Sequence, residues 1–257
     1  MPDSKVALVT GASVGIGAAF AEEFARNGFD LVLVARRGAK LNGLARKLES
    51  DYGVKSLVLP LDLSRPDAAD RVWAELTERG IVIDALVNNA GVRVPGELSG
   101  TDWSEQEKLL NLHVYTPTRL CYLALPGMRQ RGYGRIVNVA SLAALKPASK
   151  TKPLYAGSKS YLVKTSHSLA CALKGTGVHV TALCPGSTRT EYHHQNQSWR
   201  KGYRRSPILW MGPDAVAKEG YRAVMRGDAF CIPGSVQKVI GCLLRVMPRQ
   251  VAFLFTA

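Results

Sequence analysis

Seven short apolar runs, rich in β-branched residues, recur along the chain: KVALVT (5–10), DLVLVA (30–35), SLVLPL (56–61), DALVNN (84–89), GRIVNV (134–139), VHVTAL (178–183) and AFCIPG (229–234). Most are apolar at consecutive rather than alternate positions, the pattern of strands covered on both faces. Between them lie stretches such as GIGAAFAEEFARNG and DAADRVWAELTERG, with apolar residues at helical spacing and a glycine at the end. Strands alternating with helices make βαβ units, whose right-handed crossovers build a doubly wound parallel sheet. No linker, repeat or low-complexity segment interrupts the alternation, so residues 1–257 are expected to form one α/β domain.

One segment departs from the pattern. From Thr190 to Pro213 the chain is polar, aromatic and basic, and it follows the sixth predicted strand. Ligands of parallel sheets lie beyond the carboxyl ends of the strands, so an irregular insertion there (190–213) is expected to form a substrate lid.

Composition narrows the class. At 46% apolar and 21% charged the chain is an ordinary globular one. Five cysteines without a C-x-x-C pair argue for reduced thiols rather than a disulfide framework or zinc site. The N-terminal MPDSKVALVT lacks the apolar core of a signal peptide, and no apolar run is long enough to cross a bilayer, so a cytoplasmic protein is expected. Charge is less decisive. From Lys108 to Arg189 there are twelve Lys or Arg and no Asp or Glu, within a formal net charge of +14. Such a field attracts anions of every kind, so charge alone selects no partner.

TGASVGIG (Thr10 to Gly17) directly follows the first predicted strand and opens the first helix. Gly11, Gly15 and Gly17 permit a tight turn with close backbone approach, and free N–H groups at the helix start suit a pyrophosphate. Glycine also marks plain turns, but between a strand and a helix this pattern predicts dinucleotide binding, with Ser13 and Ile16 in the same loop. An NAD site usually places an acid after the second strand; here the chain reads VARR, with Arg36 and Arg37. A guanidinium fits a 2′-phosphate bidentately, which favours NADP(H) over NAD(H). Asp62 and Leu63, after the third strand, are placed to border the adenine. Asn88, Asn89, Ala90 and Gly91 end the fourth strand, where small residues let the chain pass close to a ribose.

TGASVGIG, NNAG (88–91), Asn111, Ser141, YAGSK (155–159) and PGSTRT (185–190) occur in the order and approximate spacing of the short-chain dehydrogenases/reductases, and the chain resembles that family over nearly its whole length. The resemblance implies a single Rossmann-type domain with a seven-stranded sheet, transferring hydride between NAD(P) and a carbonyl or alcohol. Tyr155 and Lys159 are four positions apart and share a helix face. A nearby ammonium favours the phenolate of a tyrosine whose unperturbed pKa is about 10. Tyr155 would then protonate a carbonyl oxygen, or deprotonate an alcohol in reverse, with Ser141 hydrogen-bonding the same oxygen. The resemblance further implies that Lys159 binds the nicotinamide ribose and that Asn111 serves a proton relay through water. It places a nicotinamide-side loop at Pro185, Gly186, Thr188 and Thr190, Thr188 being the first choice for a carboxamide contact and Thr190 its competitor. Thirteen residues separate Ser141 from Tyr155, one more than the commonest family pattern, and the extra one falls in KPASKTKP.

Other features read as structure. His193 and His194 are adjacent, point apart and lack a third ligand, so no metal is expected. His113 reads as a packed helix residue. The helix of about 104–125 and the helix of Tyr155 are almost free of acids, and the resemblance pairs them with a second subunit in a homodimer or homotetramer. The C-terminal VQKVIGCLLRVMPRQVAFLFTA is expected to pack on the pocket or a partner subunit rather than on a membrane. The reading is an NADPH-dependent reductase of a ketone, reversibly an alcohol dehydrogenase. A carboxylate-poor catalytic half, with Lys146, Lys150 and Lys152 beside it, suggests an anionic substrate such as a 3-oxoacyl thioester, free or carrier-bound. The rivals are an alcohol-oxidising dehydrogenase of a sterol, sugar or amino alcohol, and a non-catalytic NADPH sensor. A nucleic-acid partner is not expected, since no recognition helix or stacking motif is present.

Overall fold

In the computed structural model, which describes residues 4–146, 153–190 and 207–246, all seven expected strands enter one sheet. They are β1 (Val6–Thr10), β2 (Asp30–Ala35), β3 (Ser56–Pro60), β4 (Ala85–Asn88), β5 (Gly134–Val139), β6 (Val178–Leu183) and β9 (Phe230–Cys231). Their order is β3-β2-β1-β4-β5-β6-β9, and every pairing is parallel. The last strand is shorter than the 229–234 expected. It pairs with β6 only at Ala182–Phe230 and Leu183–Cys231, and the chain then turns away through Pro233 and Gly234, the latter at φ +84°.

Apolar side chains at consecutive strand positions feed two cores, one per face. Val9, Leu31, Leu33 and Val87 pack with α1 (Gly15–Arg26), α2 (Gly38–Tyr52) and α7 (Pro213–Arg226). Leu8, Val32, Leu86 and Ile136 point the other way, against α3 (Ala68–Glu78) and α5 (Thr116–Gln130). Phe24 anchors the first core, with Phe29 and Tyr221 edge-on to its ring at 5.0 and 5.1 Å between centroids. Burying such a ring contributes about 1.5–3 kcal/mol.

The helix expected at about 104–125 is longer and interrupted. It runs as α4 (Trp103–Leu110), a π-turn (Asn111–Tyr115) and α5. Two bonds brace this break against the loop after β3: Asn111 Nδ2 donates to the Ser64 carbonyl and Thr116 Oγ1 to the Leu63 carbonyl, both at 2.9 Å. Of the expected lid, the ends are described: β7 (Ser187–Thr188) pairs with β8 (Trp210–Met211), while 191–206, with His193 and His194, lies outside the described residues. Lys150 and Lys152 lie outside them too; Lys146 is exposed. In α8 (Ser235–Val246), Gln237 is buried and donates to the Leu209 carbonyl, while Val239 and Leu243 face outward. The last eleven residues of the C-terminal stretch, 247–257, are again outside the described residues.

The strand order reverses between β1 and β4, and there the chain opens a crevice at the carboxyl edge. Thr10 fastens its two sides. Its Oγ1 donates to the Val87 carbonyl at 3.0 Å and accepts from the N–H groups of Asn89 (2.9 Å) and Ala90 (3.1 Å). Asn89 returns the contact, its Nδ2 donating to the carbonyls of Thr10 (3.0 Å) and Gly11 (3.3 Å). Thr10→Val preserves the shape but strands two backbone donors. It should lower unfolding free energy by about 1–3 kcal/mol, read as a lower urea midpoint at unchanged slope.

Candidate active site

The crevice holds two connected cavities. The larger, about 510 Å³, runs from the glycine turn past Arg36 and Arg37 to Asp62 and Leu63. The smaller, about 170 Å³, is lined by Ser141, Tyr155, Lys159, Pro185, Gly186 and Thr188, among others. Ile16, Asn89, Gly91 and Thr190 line both, so the two form one groove.

The glycine turn fits an extended diphosphate. Gly11 sits at φ +66°, and a Cβ on Gly17 would stand 2.3 Å from the Gly11 carbonyl oxygen. That turn brings the start of α1 against the cleft. Val14, its capping residue, gives no side-chain acceptor, and no acid occupies the first turn. The N–H groups there are thus turned to an anion with no competing carboxylate. At the far rim, Arg37 Nη2 donates to Ser13 Oγ at 3.1 Å, which fixes one guanidinium at the edge of the cleft. Arg36 acts on Asp62. Burial pushes that carboxyl up, but hydrogen bonds from the Ser64 N–H and hydroxyl, with Arg36 and Lys108 nearby, hold it below its ordinary value.

The smaller cavity gathers the expected catalytic group with one exception. Tyr155 and Lys159 project from α6 (Pro153–Ala172). Lys159 is only 5% exposed, and its Nζ donates to the Val139 carbonyl at 2.8 Å, where β5 ends. Ser141 follows β5 and caps a short 3₁₀ turn, its Oγ accepting from the Ala143 N–H at 3.1 Å. The exception is Asn111. It lies on the π-turn with its side chain on the Ser64 carbonyl, and it is not among the residues lining this cavity. Asn88 is likewise no contact: buried beneath the strand ends, it donates to Asn138 Oδ1 at 2.8 Å. Thr188 is buried and donates to the Gly186 carbonyl at 3.2 Å; Thr190 stands between the two cavities.

Electrostatics favour the ionised phenol. Burial raises the proton affinity of Tyr155, but Lys159, then Arg93, and hydrogen bonds from Arg93 and Ser141 outweigh it, so its pKa falls below the ordinary value. Lys159 is pushed down in turn, chiefly by burial, with Tyr155 pulling the other way. His113 is indeed packed, but beside the phenol: its ring lies edge-on to Tyr155 at 5.6 Å. Burial, then Lys159 and Arg93, hold its imidazole well below the usual pKa and therefore neutral. Arg93 went unread in the sequence, and its one signal is position: it is the first cation after a strand ending at the crevice.

A dinucleotide groove at the switch point of a parallel sheet, leading to a tyrosine–lysine–serine cavity, is the site of a nicotinamide-dependent oxidoreductase. Residues 5–201 match the family model described as short chain dehydrogenase, and the chain belongs to that family. A fatty acyl-CoA reductase of Mycobacterium tuberculosis is 38% identical over 178 residues, 68% of this chain; the match spans 60% of that protein's own length. A 7β-hydroxysteroid dehydrogenase structure superposes with a TM-score of 0.91 at 25% identity, covering 98% of this chain and 96% of its own. L-Sorbose reductase from Gluconobacter frateurii, solved with NADPH and L-sorbose, gives a TM-score of 0.78 at 30% identity, covering 90% and 96%.

Tyr155→Phe keeps the ring and removes the proton. Were Tyr155 the proton donor, reduction should fall by about 10²–10⁴-fold, while nicotinamide-nucleotide binding, followed by nucleotide fluorescence, persists. In the wild type, reduction should then decline as pH rises through a pKa below the ordinary tyrosine value, and alcohol oxidation, which would use the phenolate, should rise over the same range.

Proposed function

We propose that this protein is a cytoplasmic NADPH-dependent reductase that converts a ketone to an alcohol, reversibly. The observation that carries the reading is the Tyr155 phenol, set between Lys159 and Ser141 in a cavity that opens into the nucleotide groove. A nicotinamide held in the groove would supply the hydride. Ser141 orients the carbonyl oxygen, and Tyr155 O–H gives it a proton as the carbon is reduced. Lys159, held by the Val139 carbonyl, is assigned to the nicotinamide ribose, with its charge acting on the phenol. Thr188 and Thr190 are assigned to the carboxamide side, and Asn111 to bracing the Leu63–Ser64 loop, upstream of any proton relay.

NADPH is favoured because Arg36 and Arg37 stand where an NAD site carries an acid, and Ser13 fixes Arg37 at the rim. NADPH-bound relatives such as the sorbose reductase support the choice. A second reading, a hydroxysteroid-type alcohol dehydrogenase, draws on the close superposition with the 7β-hydroxysteroid enzyme. The substrate is assigned as anionic, a 3-oxoacyl thioester or another negatively charged keto compound. Among the described residues no carboxylate lines the catalytic cavity, and the acyl-CoA reductase similarity points the same way. Tyr115, Tyr122 and Tyr161 form an exposed apolar groove along α5 and α6, which supports pairing with a second copy.

Arg37→Asp should weaken NADPH by about 1.5–3 kcal/mol, roughly ten- to a hundredfold in KM, and leave NADH nearly unchanged; steady-state assays with both nucleotides check this. Matched neutral and anionic ketones should differ in salt dependence, turnover of the anionic one alone falling as ionic strength rises. Equal use of NADH, or no anionic preference, would remove the respective assignment.

A further inference from the structure

Arg93 lies two residues past Gly91, on the loop leaving β4, and lines the catalytic cavity with Ser141 and Tyr155. Its guanidinium carbon lies over the Tyr155 ring, 5.1 Å from the centroid, and its charge helps to lower the proton affinity of the phenol. Lys159, one turn along α6, acts on the same phenol through its charge. The Tyr155 side chain is therefore influenced by two cations carried on different elements.

The loop that carries Arg93 is aimed by the protein. The Val92 N–H donates to Nε2 of His113 at 3.1 Å. That nitrogen must be unprotonated to accept, so Nδ1 bears the hydrogen and donates to Ser158 Oγ at 2.9 Å. Ser158 donates onward to the Tyr155 carbonyl at 3.0 Å. A continuous chain of hydrogen bonds thus runs from the backbone beside Arg93, through a 1%-exposed histidine, to the helical turn of Tyr155. Gly91 leaves room for it, since a Cβ there would meet His113 Nε2 at 2.8 Å.

We propose that Arg93 is a further catalytic residue, which holds the Tyr155 oxygen while its proton is away on the product. The assignment rests on the reading of Tyr155 as proton donor. In reduction the carbonyl carbon gains the hydride and its electron pair, the carbonyl oxygen gains the Tyr155 proton, and the O–H bond electrons stay on the phenolate. Arg93 then donates a charge-assisted hydrogen bond to that anion; oxidation runs the same steps backwards. Among the described residues, the charged and titratable groups around the phenol are Lys159 on α6, His113 on the π-turn and Arg93 on the loop, with Cys184 acting on Lys159 from the end of β6. His113 is neutral, and burial lowers the proton affinity of Lys159. A guanidinium presents several donors in a rigid planar fork, which suits Arg93 to the phenolate oxygen.

The test compares wild type, Arg93→Met, Arg93→Lys and Tyr155→Phe. Two readouts are followed: the pH profile of kcat in both directions, and the phenolate absorbance of the protein alone, with Tyr155→Phe subtracting the other tyrosines. Arg93→Met should move the alkaline limb of reduction, the acid limb of oxidation and the phenolate titration all upward by about 1–3 pH units. Arg93→Lys should restore most of the shift. A rate lowered evenly at every pH, with the phenolate titration unmoved, would mean that Arg93 only packs the loop and would overturn the assignment. Full activity in Tyr155→Phe overturns the proton-donor reading and Arg93 with it. Inactive Tyr155→Phe beside an unshifted Arg93→Met overturns Arg93 alone.

Discussion

The buried Thr10 hydroxyl joins the two halves of the molecule at the place where they would otherwise part. Strand order reverses between β1 and β4, so the helices that follow the two strands lie on opposite faces of the sheet. One oxygen there gives its proton to Val87 and takes two from Asn89 and Ala90. The Asn89 amide closes the loop by bonding the carbonyls of Thr10 and Gly11. The glycine turn and the NNAG segment are thereby held at one separation. Everything downstream inherits that spacing: the nucleotide groove between the two segments, and the Arg93 loop that continues from the second.

Around the phenol, burial and Coulomb attraction oppose each other, and the attraction wins. A tyrosine removed from water would ordinarily keep its proton more tightly. Here two cations and a serine hydroxyl reverse the sign, while burial, joined by the same cations, keeps His113 neutral. A neutral His113 is able to accept from the Val92 N–H. The surroundings therefore do two things together: they favour the ionised Tyr155 phenol, and they preserve the hydrogen bond that positions the neighbouring loop.

Much of this was legible in the sequence, for identifiable reasons. Strands buried on both faces announce themselves as consecutive apolar runs, and DLVLVA and VHVTAL fall on β2 and β6 to the residue. The glycine turn, Ser141, Tyr155 and Lys159 were legible because their chemistry demands particular residue types at local spacings. The π-turn was not. LNLHVYT continues a helical pattern, and the break comes from Asn111 and Thr116 reaching across to the Leu63–Ser64 carbonyls. Arg93 was hidden for the same kind of reason: an arginine in GVRVPG resembles any surface cation until His113 brings its loop to the phenol.

The π-turn has a consequence for how this site can be gained or lost. A π-turn accommodates one surplus residue, and one residue corresponds to about 100° of rotation in a helix of 3.6 residues per turn. Helix α5 keeps its apolar stripe on the sheet whether or not the surplus is present, because Leu120, Ala124 and Met128 are spaced along α5 itself. The preceding turn, with Asn111 and His113, and helix α4 with its buried Gln106 and Leu109 would swing to a new bearing. A single-codon deletion there would keep α5 on the sheet and misdirect the active-site loop. The fold and its catalysis are therefore separable by one residue, and the reading frame of the helix acts as the coupling between them.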